Sequence, residues 1–431
     1  MTLVPRVSFS SVLFLTLVGH VPLGCSSSDG AASSSSATGA GGAANGGGGG
    51  AVGKGGSAAK GGSSATGGAA GAGASSAGGQ GKGGGAAGVG PGGAPATGGA
   101  GGTGIAGASA QGGSALGGAS GCTPVPGSGI FEAPEPWTKD VSCDPKAPDS
   151  DKIIKALKDS GGWPSGKLLN EGSIGVQTVA DASTMLHTFQ HTGDFYTPDC
   201  DDGPFPVPPG GHIEGESGYD CKGDGDCHLL VVDKKSKKLY EMWRAFTPAG
   251  GAFSGGCAVV WDLTKAYPDN LRGDGCTSAD AGGFPIAAMV FSADEVAAGN
   301  IAHAIRFILP NNRIRKHLYV HPGTHSTGPT SGGADAPPYG VRLRLRADFP
   351  LASLPNDGAR VVARAMQRYG MLLADGGNVD GLSRADDAFT THKWSEVGID
   401  DTTLTKLAVD DFEVVDFGTP MEGVSVDCVR N

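Results

Sequence analysis

Hydrophobic and polar residues alternate with a period of two in several short segments of the chain beyond residue 220. Segments 228–233 and 239–245 flank the polar run 234–237, and this pattern predicts a β-hairpin. Further strands are predicted at 257–263, 301–309, 341–347 and 412–417, and loops rich in Gly, Pro, Asp and Ser separate them. The pattern therefore predicts a fold built mainly from short strands.

Helical periodicity is rarer. The clearest example is 357–373, where Asp357 is expected to be the N-cap and where Val361, Ala365 and Leu372 belong to one apolar stripe. Shorter helices are predicted at 151–158 and after Ser292. Many strands, long loops and one sizeable amphipathic helix predict a mainly β domain, a single or doubled β-sandwich or jelly roll, with the helix packed on one side. A mixed α+β fold is the alternative.

Composition divides the chain at residue 122. Residues 26–121 are almost wholly Gly, Ala and Ser, so they cannot bury enough apolar surface to offset the entropy of ordering the backbone. We expect a disordered tether at 25–121. From Cys122 onward the chain carries ordinary apolar and polar residues, and this predicts a folded domain at 122–431.

The N-terminus combines Arg6, an apolar run at 12–18 and the tripeptide Leu23-Gly24-Cys25. This pattern resembles the signal of a bacterial lipoprotein. The resemblance implies a signal peptide at 1–24, a lipid on Cys25 that attaches the protein to a membrane, and a location in the cell envelope, in the periplasm or on the outer-membrane surface. An ordinary secretory signal is the alternative. The resemblance covers roughly the first quarter of the chain.

The net charge of the folded part makes one class of partner improbable, namely nucleic acid. Setting aside Arg6, Asp29 and the three tether lysines from the 32 basic and 43 acidic residues leaves the folded part with a net charge of −14. Such a surface repels nucleic acid, so no nucleic-acid partner is expected.

Eight cysteines remain once Cys25 is assigned to the lipid, and an even set beyond the inner membrane predicts up to four disulfides. Proximity in sequence suggests the bridges Cys221–Cys227 and Cys257–Cys276. A zinc site is the rival interpretation, but no pair has the CxxC spacing.

The predicted hairpin offers the first candidate chemistry. If the turn sets Val232 opposite Leu239, His228 faces Trp243, and Glu241 lies on the same face. An imidazole, a carboxylate and an aromatic ring on one face suit a carbohydrate site, with His228 and Glu241 as acid/base candidates and Trp243 as a platform for the sugar. The alternative is that this face belongs to the core, with His228 and Glu241 paired at its margin.

Arg342, Arg344 and Arg346 alternate with apolar residues and would line one face of a strand. Guanidinium groups suit carboxylates, so this arginine row would bind an acidic glycan such as a uronan. The alternative is a solvent face whose arginines pair with the surplus Asp and Glu of the domain.

The other histidines are weaker candidates. His303 shares a predicted strand face with aliphatic residues, which is typical of a core histidine. His317, His321 and His325 recur every four residues, but Pro322 and Gly323 prevent the helix that would align them on a metal. No metal site is predicted, and no motif indicates a cofactor.

These patterns support two hypotheses of different class. The first is an envelope lipoprotein whose disulfide-linked β domain acts on a polysaccharide as hydrolase or lyase. The second is a lipoprotein that binds glycan or mediates adhesion without catalysis, which explains the localisation equally well. A metal-dependent enzyme that uses the loop histidines ranks third.

Overall fold

The computed structural model describes residues 123–222, 225–247, 252–377, 381–424 and 426–431. The predicted signal peptide, the tether, Cys25 and Cys122 lie outside them. The described residues form four α-helices, α1 (Ser150–Asp159), α2 (Ala293–Ala297), α3 (Asp357–Arg368) and α4 (Trp394–Val397). Sixteen strands accompany them: β1 (Asn170–Ile174), β2 (Val176–Val179), β3 (Leu186–His187), β4 (Gln190–His191), β5 (Phe205–Pro206), β6 (Leu229–Asp233), β7 (Lys238–Trp243), β8 (Ser254–Gly255), β9 (Cys257–Asp262), β10 (Ile305–Leu309), β11 (Leu318–Tyr319), β12 (Arg342–Leu345), β13 (Met371–Gly376), β14 (Leu382–Ala385), β15 (Phe412–Val414) and β16 (Met421–Glu422).

The predicted hairpin is confirmed and lies in a four-stranded sheet of order β2-β6-β7-β9. Val232 pairs with Leu239, and Leu230 with Glu241, in the predicted register. β6 runs parallel to β2, while β7 runs antiparallel to both β6 and β9. Residues of β6 alternate between two apolar clusters, because this sheet is buried on both faces.

The larger sheet has six strands in the order β1-β14-β10-β13-β12-β15. It is mixed: the β1/β14 and β10/β13 pairs are parallel, whereas β14/β10, β13/β12 and β12/β15 are antiparallel. The described part of the chain is therefore mainly sheet with few helices, as predicted at this coarser level. A sandwich or jelly-roll arrangement stays a prediction.

The larger apolar cluster contains one face of the four-stranded sheet, through residues such as Leu230 and Trp261, together with β10 and β12 residues such as Phe307 and Leu343. Helix α3 packs against β12. The two sheets are directly connected in sequence, because β1 of the larger sheet is followed after Gly175 by β2 of the smaller one. A Cβ added at Gly175 would lie 2.6 Å from Phe389 Cε2, so a larger residue would disturb this connection.

The predicted long helix is shorter than expected. It begins after Asn356, whose side chain accepts a hydrogen bond from the Ala359 N–H, and it ends at Arg368. Gly370 then adopts φ +73°, a left-handed conformation that favours glycine, and Leu372 lies in β13 rather than on the helix. The α1 helix and the capping box of Ser292 and Glu295 on α2 are as predicted.

One of the two proposed disulfides is correct. Cys221 pairs with Cys227, but Cys257 pairs with Cys200, and Cys276 pairs with Cys428. The Cys257–Cys276 prediction was wrong because closeness in sequence does not decide pairing: Cys257 begins β9, whereas Cys276 lies in a loop beside the C-terminal segment. Three disulfides among the described residues suggest an oxidising, extracytoplasmic environment. None of the described helices has the length and apolar character needed to cross a bilayer.

Candidate functional site

A cavity of about 390 Å³, lined mostly by polar and charged residues, lies at strands β1, β10 and β13 of the larger sheet and beside the start of β6. Strand β1 contributes Glu171 and Ser173, and β10 and β13 contribute Arg306 and Asp375. The remaining charged lining residues are Glu214 and Asp226 from loops and His228 from the residue before β6. Strands therefore hold four of these seven side chains, and the volume is that of a site for a small molecule or a single sugar unit.

Two carboxylates of the cavity are bridged by one hydroxyl. Ser173 Oγ lies 2.5 Å from Glu171 Oε2 and 3.3 Å from Glu214 Oε1, so these two carboxylate oxygens lie within about 6 Å of each other. A hydroxyl has a single proton and can donate fully to only one carboxylate. Glu171 Oε2 also accepts the Ser173 main-chain N–H at 2.9 Å, so Ser173 donates mainly to Glu171 and makes only a longer contact with Glu214.

The electrostatic environments of these two carboxylates differ. Burial and the nearby negative charge of Glu214 raise the pKa of Glu171, although hydrogen bonds from Ser173 oppose the shift. Burial would also raise the pKa of Glu214, but the charge of His228 and hydrogen bonds from its ring and main chain lower it below the ordinary value. Glu171 thus tends to hold its proton, while Glu214 tends to be ionised.

His228 is buried and forms a hydrogen bond with Glu214. The ring is 3% exposed, with Nδ1 lying 2.7 Å from Glu214 Oε2 and Nε2 lying 3.0 Å from the Ala279 carbonyl oxygen. A carbonyl oxygen only accepts, and an ionised carboxylate only accepts, so both ring nitrogens must carry protons when Glu214 is ionised. Burial alone would lower the pKa of His228, but the charge and hydrogen bond of Glu214 raise it. The pair is therefore an imidazolium and a carboxylate.

Arg306 and its carboxylate partners form a second charged group at the cavity. The Arg306 guanidinium, 1% exposed, donates to Asp280 Oδ1 at 2.9 Å, to Asp375 Oδ2 at 2.8 Å and to Ser383 Oγ at 2.8 Å. Burial raises the pKa of Asp375 to about 6, even though the charge of Arg306 opposes the shift. Asp375 faces the cavity, whereas Asp280 is fully buried behind Arg306.

No protein-family model, curated protein or solved structure matches this chain. Function must therefore be argued from the chemistry of the cavity. Within the described ranges, no three His, Cys, Asp or Glu side chains form a group that could hold a metal ion.

The predicted acid/base residues His228 and Glu241 bond to different partners. His228 lines the cavity and pairs with Glu214. Glu241 is fully buried, where Oε1 accepts the Ala287 N–H at 2.8 Å and Oε2 accepts the Trp261 Nε1–H at 2.9 Å. Burial raises the pKa of Glu241 to about 8. These contacts place Glu241 in the core, as the alternative interpretation of this face expected, but Glu241 is not paired with His228 at its margin.

Trp243 lies beside the cavity, but protein groups cover much of its ring. Its Nε1–H donates to Asp226 Oδ1 at 2.9 Å, and the Arg244 guanidinium lies 5.1 Å from the ring centroid. A Cβ added at Gly256 would lie 2.8 Å from Trp243 Cε3, so the main chain also packs against the ring. In this arrangement Trp243 orients Asp226.

Two of the three arginines of the row are directed into the protein. Arg342 and Arg344 are each 8% exposed and donate to main-chain carbonyl oxygens near the start of the described chain. Arg344 also pairs with Glu413 at 2.6 Å, and the more exposed Arg346 pairs with Asp348 at 3.2 Å. The expectation of three arginines along one open face was wrong, because the main chain of segment 136–144 covers Arg342 and Arg344.

The sequence reasoning missed Glu171, Glu214, Arg306 and Asp375. Two of these residues could have been recognised from the sequence. Arg306 interrupts the apolar strand β10, and Asp375 follows a run of buried residues in β13. A charged residue in such a strand must be paired, which makes it a site candidate. Glu171 and Glu214 lie in polar segments, where no periodicity distinguishes them from solvated residues.

Proposed function

We propose that this protein is a retaining glycoside hydrolase of the cell envelope, in which Glu171 is the general acid and Glu214 is the nucleophile. The observation that carries the proposal is the Ser173-bridged pair of carboxylates, within about 6 Å of each other and with pKa values shifted in opposite directions. Paired carboxylates in unlike environments are the arrangement that glycoside hydrolysis uses. A separation near 5–5.5 Å is typical of retaining enzymes, whereas inverting enzymes hold their carboxylates roughly 6.5–9.5 Å apart.

The reaction would proceed in two displacements. In the first, a Glu214 oxygen attacks the anomeric carbon, the glycosidic C–O bond breaks, and Glu171 transfers its proton to the departing oxygen. In the second, Glu171, now ionised, accepts a proton from water; the water oxygen bonds to the anomeric carbon, and the bond to Glu214 breaks. Glu171 is thereby reprotonated, and the enzyme returns to its starting state.

His228 and Arg306 support this chemistry without contacting the bond that breaks. His228 keeps Glu214 ionised and oriented, as a nucleophile requires. Arg306 orients Asp375, whose carboxylate offers an acceptor to sugar hydroxyl groups. In this proposal His228 is a positioning residue, and Glu241 belongs to the core.

The cellular setting is part of the proposal. The lipoprotein-like N-terminus would attach the protein to a membrane through Cys25, and the tether would hold the domain away from the lipid. The described disulfides support an oxidising compartment, which agrees with the periplasm or the outer-membrane surface. The predicted sandwich or jelly-roll arrangement of the sheets remains part of the same proposal.

A glycan panel tests the activity. The purified full chain is incubated with oligosaccharides of differing linkage and charge, and released reducing ends are measured. Glu171→Gln and Glu214→Gln should each lower turnover by about 10²-fold or more, because the amide can neither transfer the proton nor displace the glycoside. Glu216→Gln is the matched control, since Glu216 lies two residues from Glu214 and pairs with Lys222 instead of the cavity groups.

Proton NMR of the first-formed product decides the stereochemistry. Retention of the anomeric configuration is expected, and inversion would contradict the role of Glu214 as nucleophile. Glycan binding without release of reducing ends, unchanged by both cavity substitutions, would favour the non-enzymatic alternative.

A further inference from the structure

The loop that ends at the Cys221–Cys227 disulfide places one more carboxylate in the cavity. Asp226 is exposed and lines the cavity, and its neighbour Cys227 is disulfide-bonded. Its Oδ1 accepts the Trp243 Nε1–H at 2.9 Å, and its main-chain oxygen accepts the Arg244 N–H at 2.8 Å. Three constraints therefore fix the position of Asp226. The hydrogen bond from Trp243 uses one carboxylate oxygen, which leaves the other for a ligand.

The cations of the cavity are already paired with other carboxylates. His228 pairs with Glu214 at 2.7 Å, and Arg306 pairs with Asp280 and Asp375. The basic residues that flank the Asp226 loop are also paired elsewhere: Arg244 lies 2.7 Å from Asp194, and Lys222 lies 3.6 Å from Glu216. The hydrogen bond that Asp226 receives comes from a neutral indole. Among the described residues Asp226 therefore forms no ion pair, and the cation that its charge affects, His228, is hydrogen-bonded to Glu214.

The negative charge of Asp226 also acts on two other groups of the cavity, His228 and Asp375. It contributes to raising the pKa of both His228 and Asp375, although burial and nearer groups affect each of them more. A ligand that enters the cavity therefore meets a negative potential that originates at the rim. Anionic sugars are repelled by it, and cationic sugars are attracted.

We infer that the site selects a glycan that carries a protonated amino group, and that Asp226 binds this ammonium at the rim of the cavity. The inference rests on the proposed function for the site, but it concerns the class of sugar and not the catalytic step. Asp226 is then the residue that determines specificity. A uronan, which the arginine row suggested, would place its carboxylates against Asp226 and Asp375.

Matched oligosaccharides test the inference. Binding and hydrolysis by the full chain are measured with three β-linked oligomers of equal length and linkage: glucosamine, N-acetylglucosamine and glucose. The glucosamine oligomer should bind about tenfold or more tightly than the glucose oligomer, because a hydrogen bond between charged groups is stronger than a neutral one. Asp226→Asn should reduce this preference about tenfold. Asp194→Asn, which removes the same charge from the partner of Arg244, should retain it.

The outcomes separate the two proposals. Equal binding of the three oligomers, or a preference that Asp226→Asn leaves intact, would overturn the ammonium inference even if all three are hydrolysed. Selective binding of glucosamine oligomers without hydrolysis would support the inference and overturn the proposed hydrolase. If none of the three binds at millimolar concentration, the ammonium inference is wrong.

Discussion

Replacing Glu241 by glutamine tests whether this residue is structural. Both oxygens of the buried carboxyl accept hydrogen bonds, one from the Ala287 N–H and one from the Trp261 indole. A protonated carboxyl still offers a lone pair on each oxygen, but an amide offers only one acceptor and adds two donors. In Glu241→Gln one buried donor therefore loses its acceptor and faces another donor. This should lower the free energy of unfolding by about 1–3 kcal/mol.

The loss of stability in Glu241→Gln should also depend on pH. Burial raises the pKa of Glu241 from 4.5 to about 8, so between these values the folded protein holds a proton that the unfolded chain has released. The stability that this proton confers on the wild type is fully present below pH 4.5 and is lost as the pH rises toward 8. The amide does not titrate. The stability difference between wild type and Glu241→Gln should therefore be largest below about pH 4.5 and should shrink as the pH rises toward 8.

Urea unfolding followed by tryptophan fluorescence measures both effects. A double-mutant cycle with Trp261→Phe sharpens the test, because removing the indole donor relieves the conflict that the amide creates. Trp261→Phe should then cost less in the Glu241→Gln background than in the wild type, with a coupling of at least about 0.5 kcal/mol. Additive losses, or a stability difference that does not change between pH 5 and pH 8, would refute this account of Glu241.

Three further predictions concern the site, the disulfides and the anchor. Hydrolysis should decline as the pH rises above the ordinary pKa of glutamate and Glu171 loses its proton, and at acid pH as Glu214 gains one. His228→Gln should move the acid limb of this pH profile upward, and an unmoved limb would contradict the positioning role of His228. Replacing both Cys276 and Cys428 by alanine should reduce stability in urea by about 2–4 kcal/mol, and a loss below about 0.5 kcal/mol would show that the bridge does not constrain the unfolded chain. Cys25→Ala should release the protein from membranes, as cell fractionation would show, and a mature N-terminus at another residue, measured by mass spectrometry, would exclude the lipoprotein signal.

Local patterns in the sequence predicted local parts of the fold. The β6–β7 hairpin, β9 and α1 were predictable because neighbouring residues decide alternation, turn formation and capping. The parallel pairing of β10 with β13 was not predictable in this way, since the two strands are separated in the chain by β11, β12 and α3. Strand β13 itself was assigned in part to the preceding helix, because the apolar run after Gly370 continues the helical stripe until the glycine reverses the chain.

The candidate site was predicted only in part for a related reason. The alternation of residues along a strand and the register of a hairpin predict which residues of one sheet are neighbours. They correctly placed Glu241 opposite Leu230. They do not say which loop will cover that sheet. The carboxylate that reaches His228 is Glu214, which comes from a loop that no periodic pattern positions, so the sequence suggested Glu241 as the partner of His228.

The charges in the cavity explain why the site depends on the complete fold. A buried ion that lacks a partner costs several kcal/mol, so Arg306 and His228 are tolerated only where carboxylates from other parts of the chain meet them. Arg306 requires Asp280 from a loop and Asp375 from β13, and His228 requires Glu214. These contacts form only when both sheets are in place, and they fix the positions of Glu214 and Asp375 before any ligand arrives. Preorganised carboxylates of this kind need little rearrangement during a reaction, which is the condition under which electrostatic stabilisation of a transition state is most effective.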